Sequence, residues 1–281
     1  MRTAYVNGAF LPLGARAITV EDRGFQLGDA IYEVWAVRRG RLVDAPGHFA
    51  RLTRSLAEIG MAPVMSDAAL QAVLKETLRR NRVQDGLVYL QISRGAAPRD
   101  HGFPPPTVKP TIVVTAKALE SRALDAQAEI GVRVITLPDE RWARCDIKSV
   151  GLLPNVLAKQ KARTSGAFEA WLVDSDGRVT EGASTTAWIV DGEGRLRTRA
   201  LSHQILPGVT RGTIMEIAHE RQLRVVEEPF TPAEARAARE AFLTSAINGA
   251  MPIISIDDKI IGDGKPGPIA AALRAAYYAA L

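Results

Sequence analysis

The chain has a single cysteine, Cys145, in 281 residues. One thiol excludes an internal disulfide and fits a reducing compartment. No histidine stands near it in the sequence to act as a base, so Cys145 reads as a small packing residue rather than a nucleophile. No stretch reaches the roughly 18 apolar residues of a membrane-spanning helix, and the opening residues lack an apolar core of signal-peptide length. A soluble, cytoplasmic protein with no membrane partner is expected. A block of one charge is also missing. The formal net charge is +5, but acidic and basic residues are interleaved, as in Glu220-Arg221-Gln222-Leu223-Arg224. Interspersed charge makes a solvated face, and no basic block alternates with aromatics, so no nucleic-acid partner is expected. Repeats and low-complexity segments are absent as well.

What is present is ample apolar content, 47%, enough for one large core or two modest ones. Asn7-Gly8 predicts a hairpin turn between two short strands, and Arg39-Gly40 turns the strand over 31–37 into 41–43. Helices are predicted over 45–59, with Leu52, Leu56 and Ile59 on one face, and over 66–81, burying Leu70, Val73, Leu74 and Leu78. Strands follow over 87–93 and 111–115, and a loosely patterned segment over 117–128 marks a domain boundary near residue 120. Beyond it come a strand over 130–137, a helix over 154–165 ended by Gly166, and strands over 168–173 and 186–190 with Asp176-Gly177 turning between them. A helix runs from Leu206-Pro207-Gly208 to about residue 220, and Thr231-Pro232-Ala233-Glu234 is a capping box with proline at N1. A strand over 242–246 and an amphipathic terminal helix over 269–281 complete a mixed α/β (α+β) chain of two domains, 1–120 and 121–281.

Several residues stand out chemically. Lys148 follows an apolar strand and precedes Val150-Gly151-Leu152-Leu153, so apolar neighbours should wall its stem. A lysine desolvated in this way loses proton affinity and can attack a carbonyl. By composition alone it reads as a solvated surface residue. His48 and Arg51, three apart, share a side of their helix, which could be an exposed polar face. Arg99 and His101 stand two apart in a Pro/Gly-rich loop; in an extended segment their side chains would converge on one small target, and a carboxylate fits. Glu181 precedes the strand over 186–190, and Gly208-Val209-Thr210 opens a helix whose free amides suit an anion.

These stretches, with Glu21-Asp22-Arg23-Gly24-Phe25-Gln26-Leu27-Gly28-Asp29, Tyr32-Glu33-Val34, Ser93-Arg94-Gly95, Arg144-Cys145-Asp146-Ile147-Lys148-Ser149 and Thr180-Glu181-Gly182, run nearly end to end. Their order and spacing resemble the fold-type IV pyridoxal-phosphate enzymes, nearest to the D-amino acid aminotransferases. The resemblance implies that Lys148 forms the Schiff base with pyridoxal 5'-phosphate and that Arg51 holds the phosphate. Val209, Thr210 and Ser245 would complete the phosphate cup, and Glu181 would bind the pyridine nitrogen. Tyr32 and Ala246 would lie near the substrate. Arg99 and His101 would trap its carboxylate, reaching the site from the neighbouring subunit of a homodimer. The implied reaction passes an amino group between D-amino acids and 2-oxo acids by a ping-pong course. Branched-chain L-amino acid aminotransferases, amine transaminases and aminodeoxychorismate lyases share the fold and cofactor and remain open, as does, more remotely, a non-catalytic basic binding protein. Ala183-Ser184-Thr185-Thr186 departs from the Ser-Ser-Ser-Asn of many relatives, which bears on substrate preference.

Overall fold

The computed structural model describes residues 2–281, which cluster into two compact units. One comprises the chain up to Ser121 together with Ile147–Gly151; the other comprises Arg122–Asp146 and Leu152–Leu281.

The first unit is built on the strands β1 (Thr3–Val6), β2 (Ala9–Pro12), β3 (Ala30–Arg38), β4 (Arg41–Leu42), β5 (Gly86–Ser93) and β6 (Thr111–Ala118), with helices α1 (Arg23–Leu27), α2 (Ala45–Glu58) and α3 (Asp67–Asn81). The strands form an antiparallel sheet in the order β2-β1-β6-β5-β3-β4. The β1–β2 turn places Asn7 and Gly8 at φ 48° and 99°. These are the two left-handed residues that a tight hairpin following the strand twist requires. Strand β3 alternates with period two: Ile31, Glu33, Trp35 and Val37 are fully buried, while Tyr32 and Val34 are half-buried. Trp35 and Val37 join Phe49, Leu52 and Leu56 of α2 and Leu70, Leu74 and Leu78 of α3 in one core. The Ser66 hydroxyl caps α3 by accepting from the Ala69 N–H, worth about 1 kcal/mol. Of the residues expected inside α3, Val73 is only half-buried, and Thr77 takes a buried position.

The second unit holds strands β7 (Val132–Pro138), β8 (Glu169–Val173), β9 (Val179–Gly182), β10 (Thr186–Val190), β11 (Leu196–Thr198), β12 (Val225–Glu227), β13 (Glu240–Ser245), β14 (Gly249–Ile256) and β15 (Lys259–Ile260). Its helices are α4 (Ser121–Ile130, whose first residue closes the first unit), α5 (Leu153–Thr164), α6 (Val209–Glu220), α7 (Pro232–Arg236) and α8 (Pro268–Ala279). The sheet order is β12-β11-β10-β13-β14-β7-β8-β9, with β15 paired to β14. β7 runs parallel to both β8 and β14, and the buried residues Val134, Trp171, Ile189, Leu243 and Met251 form its core. The capping box at Thr231 is present with both of its reciprocal bonds. The 117–128 stretch is partly helical, the difference from expectation being α4, in which only Ala128 is buried. The Asp176-Gly177 turn leads from β8 into β9, so Glu181 lies within a short strand of its own rather than in a loop before β10.

The segment Ile147–Gly151 belongs with the first unit, whereas the sequence reading puts Lys148 in the second. The cause is backbone pairing with the start of β3. The Tyr32 N–H donates to the Lys148 carbonyl (3.0 Å), and the Val150 N–H donates to the Ala30 carbonyl (3.1 Å). Ile31 and Ser149 form an antiparallel bridge.

Candidate active site

In the first unit, Lys148 is half-buried. Its wall is not the expected aliphatic one, since Leu153 is 68% exposed. Its ammonium instead lies 4.1 Å from the centroid of the Tyr32 ring, and its backbone N–H reaches Ser55 Oγ at 3.4 Å. A cation over a phenol face is attracted by the ring quadrupole, so Tyr32 orients the amine without capturing it in an ion pair.

His48 and Arg51 do not face solvent. Both are buried against Glu33, which is fully buried on β3. Arg51 makes a fork to the carboxylate, Nε to Oε1 at 2.7 Å and Nη2 to Oε2 at 2.8 Å, and His48 Nδ1 donates to Oε2 at 2.8 Å. Burial pushes Glu33 upward, but the Arg51 guanidinium and the His48 hydrogen bond outweigh it and hold the carboxyl at about 2. His48 is pushed below its ordinary value, first by burial and also by the charges of Arg51 and Lys148, against the pull of Glu33. Both shifts have one consequence for stability. A depressed carboxyl contributes stability that is complete above its unfolded value, 4.5, and is lost as pH falls toward 2; here that is about 3 kcal/mol. A buried neutral histidine likewise loses ground below 6.5, where the unfolded chain takes up its proton. Glu33→Gln should cost about 3 to 5 kcal/mol at pH 7 by leaving Arg51 buried without its counter-charge. It should also flatten the acid decline below 4.5, as read from urea unfolding at pH 5, 4 and 3. Parallel declines in the two proteins would rule out Glu33 as the source.

Glu33 was not singled out from the sequence, although a signal was there. Period two along β3 puts a carboxylate on the same face as Ile31, Trp35 and Val37, where a charge must find partners.

Arg99 and His101 lie on the loop between β5 and β6, and both are exposed. The loop is not extended there: bends occur on either side of Asp100, whose Oδ1 accepts from the Gly102 N–H at 3.1 Å. Strand alternation therefore does not relate the two side chains. Neither has a hydrogen-bond partner among the described residues.

In the second unit, Glu181 is buried on β9. Its Oε1 accepts from Arg141 Nη1 and from the Leu206 N–H (3.1 Å), and among the described residues no hydrogen bond falls on Oε2. Arg141 also forks onto Asp139, Nε to Oδ1 at 2.9 Å and Nη2 to Oδ2 at 2.7 Å, and Asp139 accepts from the Thr180 hydroxyl at 2.7 Å. One guanidinium thus meets two carboxylates. Burial pushes Glu181 up against the pull of Arg141, so a further cation at Oε2 would relieve it. A protonated ring nitrogen is such a cation. Arg141 heads the stretch up to Ser149 that carries the resemblance, but its pairing with Glu181, 40 residues on, has no mark in the sequence. Cys145, beside this cluster, is buried, donates to the Trp142 carbonyl at 3.0 Å, and is pushed up to about 11 by burial, as befits a packing residue.

Helix α6 begins at Val209 with Gly208 as N-cap and no capping side chain, which leaves the first-turn amides of Val209, Thr210 and Arg211 without helical partners. Thr210 Oγ1 is buried and unpaired. A Cβ at Gly208 would stand 2.9 Å from Thr186 Oγ1 and 3.2 Å from Arg211 Cβ, so only glycine leaves the backbone this close. Free amides at a helix start and an orphan hydroxyl are the donor set a phosphate needs, and they fit that end of pyridoxal phosphate as Glu181 fits the other. Ser245 ends β13 half-buried, accepting from Asn248 Nδ2 at 2.9 Å, and Ala246 lies half-buried in the turn to β14.

No helix among the described residues is long and apolar enough to cross a membrane. A D-alanine aminotransferase of Bacillus licheniformis is 40% identical to the chain over 263 residues, 94% of this chain and 91% of that protein. One of Staphylococcus haemolyticus is 37% identical over 277 residues, 99% and 97% of the two chains. Among solved structures, a T.th. branched-chain amino acid aminotransferase with pyridoxamine 5'-phosphate superposes with a TM-score of 0.90 at 25% identity, covering 99% of this chain and 93% of its own. Residues 30–256 match the family described as amino-transferase class IV. The chain belongs to the class IV aminotransferase family.

Proposed function

We propose that this chain is a pyridoxal 5'-phosphate-dependent aminotransferase that exchanges the amino group between D-amino acids, of the D-alanine and D-glutamate type, and 2-oxo acids in two half-reactions. The observation that carries this reading is the identity of 36–40% with D-alanine aminotransferases over nearly the whole length of both partners. When bound, the cofactor supplies an aldehyde that condenses with amines and a ring that withdraws electrons from the substrate α-carbon.

The chain's own residues do the rest. Lys148 Nζ is the amine that anchors the cofactor and, once displaced by substrate, takes the proton from the substrate Cα. Tyr32 keeps that amine over its ring face. Arg51 holds the phosphate, with Glu33 fixing the plane of its guanidinium through the two-point fork. The amides of Val209 and Thr210, the Thr210 hydroxyl and Ser245 complete the phosphate cup. Glu181 Oε2 accepts from the ring nitrogen and keeps it protonated. Arg99 and His101 take the substrate carboxylate in the neighbouring subunit of a homodimer, a role supported by their exposure and their lack of hydrogen-bond partners among the described residues. Ala246 borders the substrate.

A second reading, a branched-chain L-amino acid aminotransferase, is favoured by the structural likeness to the branched-chain enzyme, but at 25% identity against 40%. A scan of D- and L-amino donors on the holoenzyme with 2-oxoglutarate separates the two. D-alanine should be consumed and L-leucine spared, and activity confined to L-donors would overturn the proposal.

A further inference from the structure

The loop bearing Arg99 and His101 runs from residue 94 to 110 and is rich in proline and glycine. A loop of that length and composition has no conformation of its own to hold two side chains in register. A buried charged brace supplies one. Arg23, at the start of α1 and 3% exposed, donates Nε to Asp29 Oδ2 at 2.8 Å. Asp29 also receives a fork from Arg94, Nε to Oδ2 at 2.8 Å and Nη2 to Oδ1 at 3.1 Å, while Arg94 Nη2 donates to the Ile59 carbonyl at 2.6 Å. The second arm of Arg23 leaves this cluster: its Nη1 donates to the carbonyl of Asp100 at 2.7 Å. Asp100 is the residue between Arg99 and His101.

Two further ties fix the frame around that bond. The Arg23 N–H donates to the Gly95 carbonyl at 2.9 Å, and the Ala97 N–H donates to the Glu21 carbonyl at 3.3 Å. Together they zip the near half of the loop onto residues 21–23. The guanidinium of Arg94 lies 3.7 Å from the centroid of the exposed Phe103 ring, which ties the far half back to where the loop began. Asp29 stays ionised because the two arginines outweigh the burial that opposes them. Burying two guanidiniums on one carboxylate gives little stability that apolar packing would not give, so its value lies in where it puts the backbone.

We infer that Arg23 is a positioning residue for substrate recognition: through its bond to the Asp100 carbonyl it sets Arg99 and His101 for a substrate carboxylate. The inference rests on the proposed role of that pair. Arg23 itself touches neither substrate nor cofactor. Removing its second arm should therefore weaken carboxylate binding while leaving the chemistry at Lys148 intact.

The test is a mutant cycle on the holoenzyme, with KM and kcat for D-alanine as the readout. Arg99→Ala should raise KM about 100-fold, the loss of a charge-assisted contact. Arg23→Gln should raise KM about 10-fold with kcat within about threefold, and should add nothing in a background lacking both side chains, Arg99→Ala with His101→Ala. Arg23→Lys keeps a charge for Asp29 but lacks the fork that spans both partners, and should show the same pattern at about fivefold. It carries the test if Arg23→Gln fails to fold. An unchanged KM in a folded Arg23 variant overturns the inference while leaving the role of Arg99 in place. So does a KM rise repeated in full on top of Arg99→Ala with His101→Ala, since a general structural effect would be additive. If Arg99→Ala leaves KM unchanged, the proposed carboxylate trap falls, and the role of Arg23 falls with it.

Discussion

Lys148→Ala should lower transamination by about 10⁴-fold or more, because in the proposed function one amine both anchors the cofactor and moves the α-proton, each contributing by orders of magnitude. Stability should barely change. The side chain is half-buried and its contact is a cation over the Tyr32 ring, worth about 0.5 to 1 kcal/mol. The hydrogen bonds that hold the segment on β3 are made by the backbone of residues 148 and 150 and survive the substitution. Separating loss of activity from loss of fold is thus straightforward. Borohydride treatment of the cofactor-loaded protein followed by peptide mapping should tag residue 148, and the tag should vanish in the variant. A tag on another lysine, or residual activity above about 1%, would move the reacting amine elsewhere.

Glu181→Gln should lower kcat by about 10²-fold to 10³-fold, a loss typical of removing one preorganised electrostatic partner. The reason is the charge balance around Arg141. Arg141 is shared between two carboxylates, Asp139 and Glu181, so it does not offset both, and in the proposed function Glu181 Oε2 is the oxygen left for a ring nitrogen. Glutamine keeps the shape and leaves Arg141 paired with Asp139, so the fold should hold. An amide cannot keep the ring nitrogen protonated, so the electron withdrawal that favours loss of the α-proton weakens. The check is kcat for D-alanine together with the primary isotope effect on the α-deuterated substrate, which should rise as proton removal becomes slower than the other steps. An unchanged kcat would mean that Glu181 serves only to hold Arg141 and the Leu206 amide.

Much of the frame was legible in the sequence because it depends on neighbours along the chain. The turn at Asn7-Gly8, the Leu52/Leu56 face of α2, the Ser66 cap and the Thr231 capping box all lie within four residues of what they act on. α4 was missed, and of its residues only one, the small Ala128, is buried, so packing leaves little mark on it. The groups around the site were half legible. Lys148, Arg51, Glu181 and the start of α6 stand in motifs whose family resemblance names them. The pairings they make are not legible: Arg51 meets Glu33 across 18 residues and Glu181 meets Arg141 across 40, and no local pattern announces a contact that the fold makes. Likewise the wall beside Lys148 is a ring from β3 rather than the adjacent leucines, because backbone pairing decided which residues became neighbours.

A practical freedom follows from the lone thiol. With Cys145 held at about 11 and shielded, only about one molecule in 10⁴ presents a thiolate at neutral pH. A cysteine introduced at an exposed position would take up a maleimide dye or spin label almost alone, so distances and loop motions in this enzyme can be followed without first engineering out a native competitor.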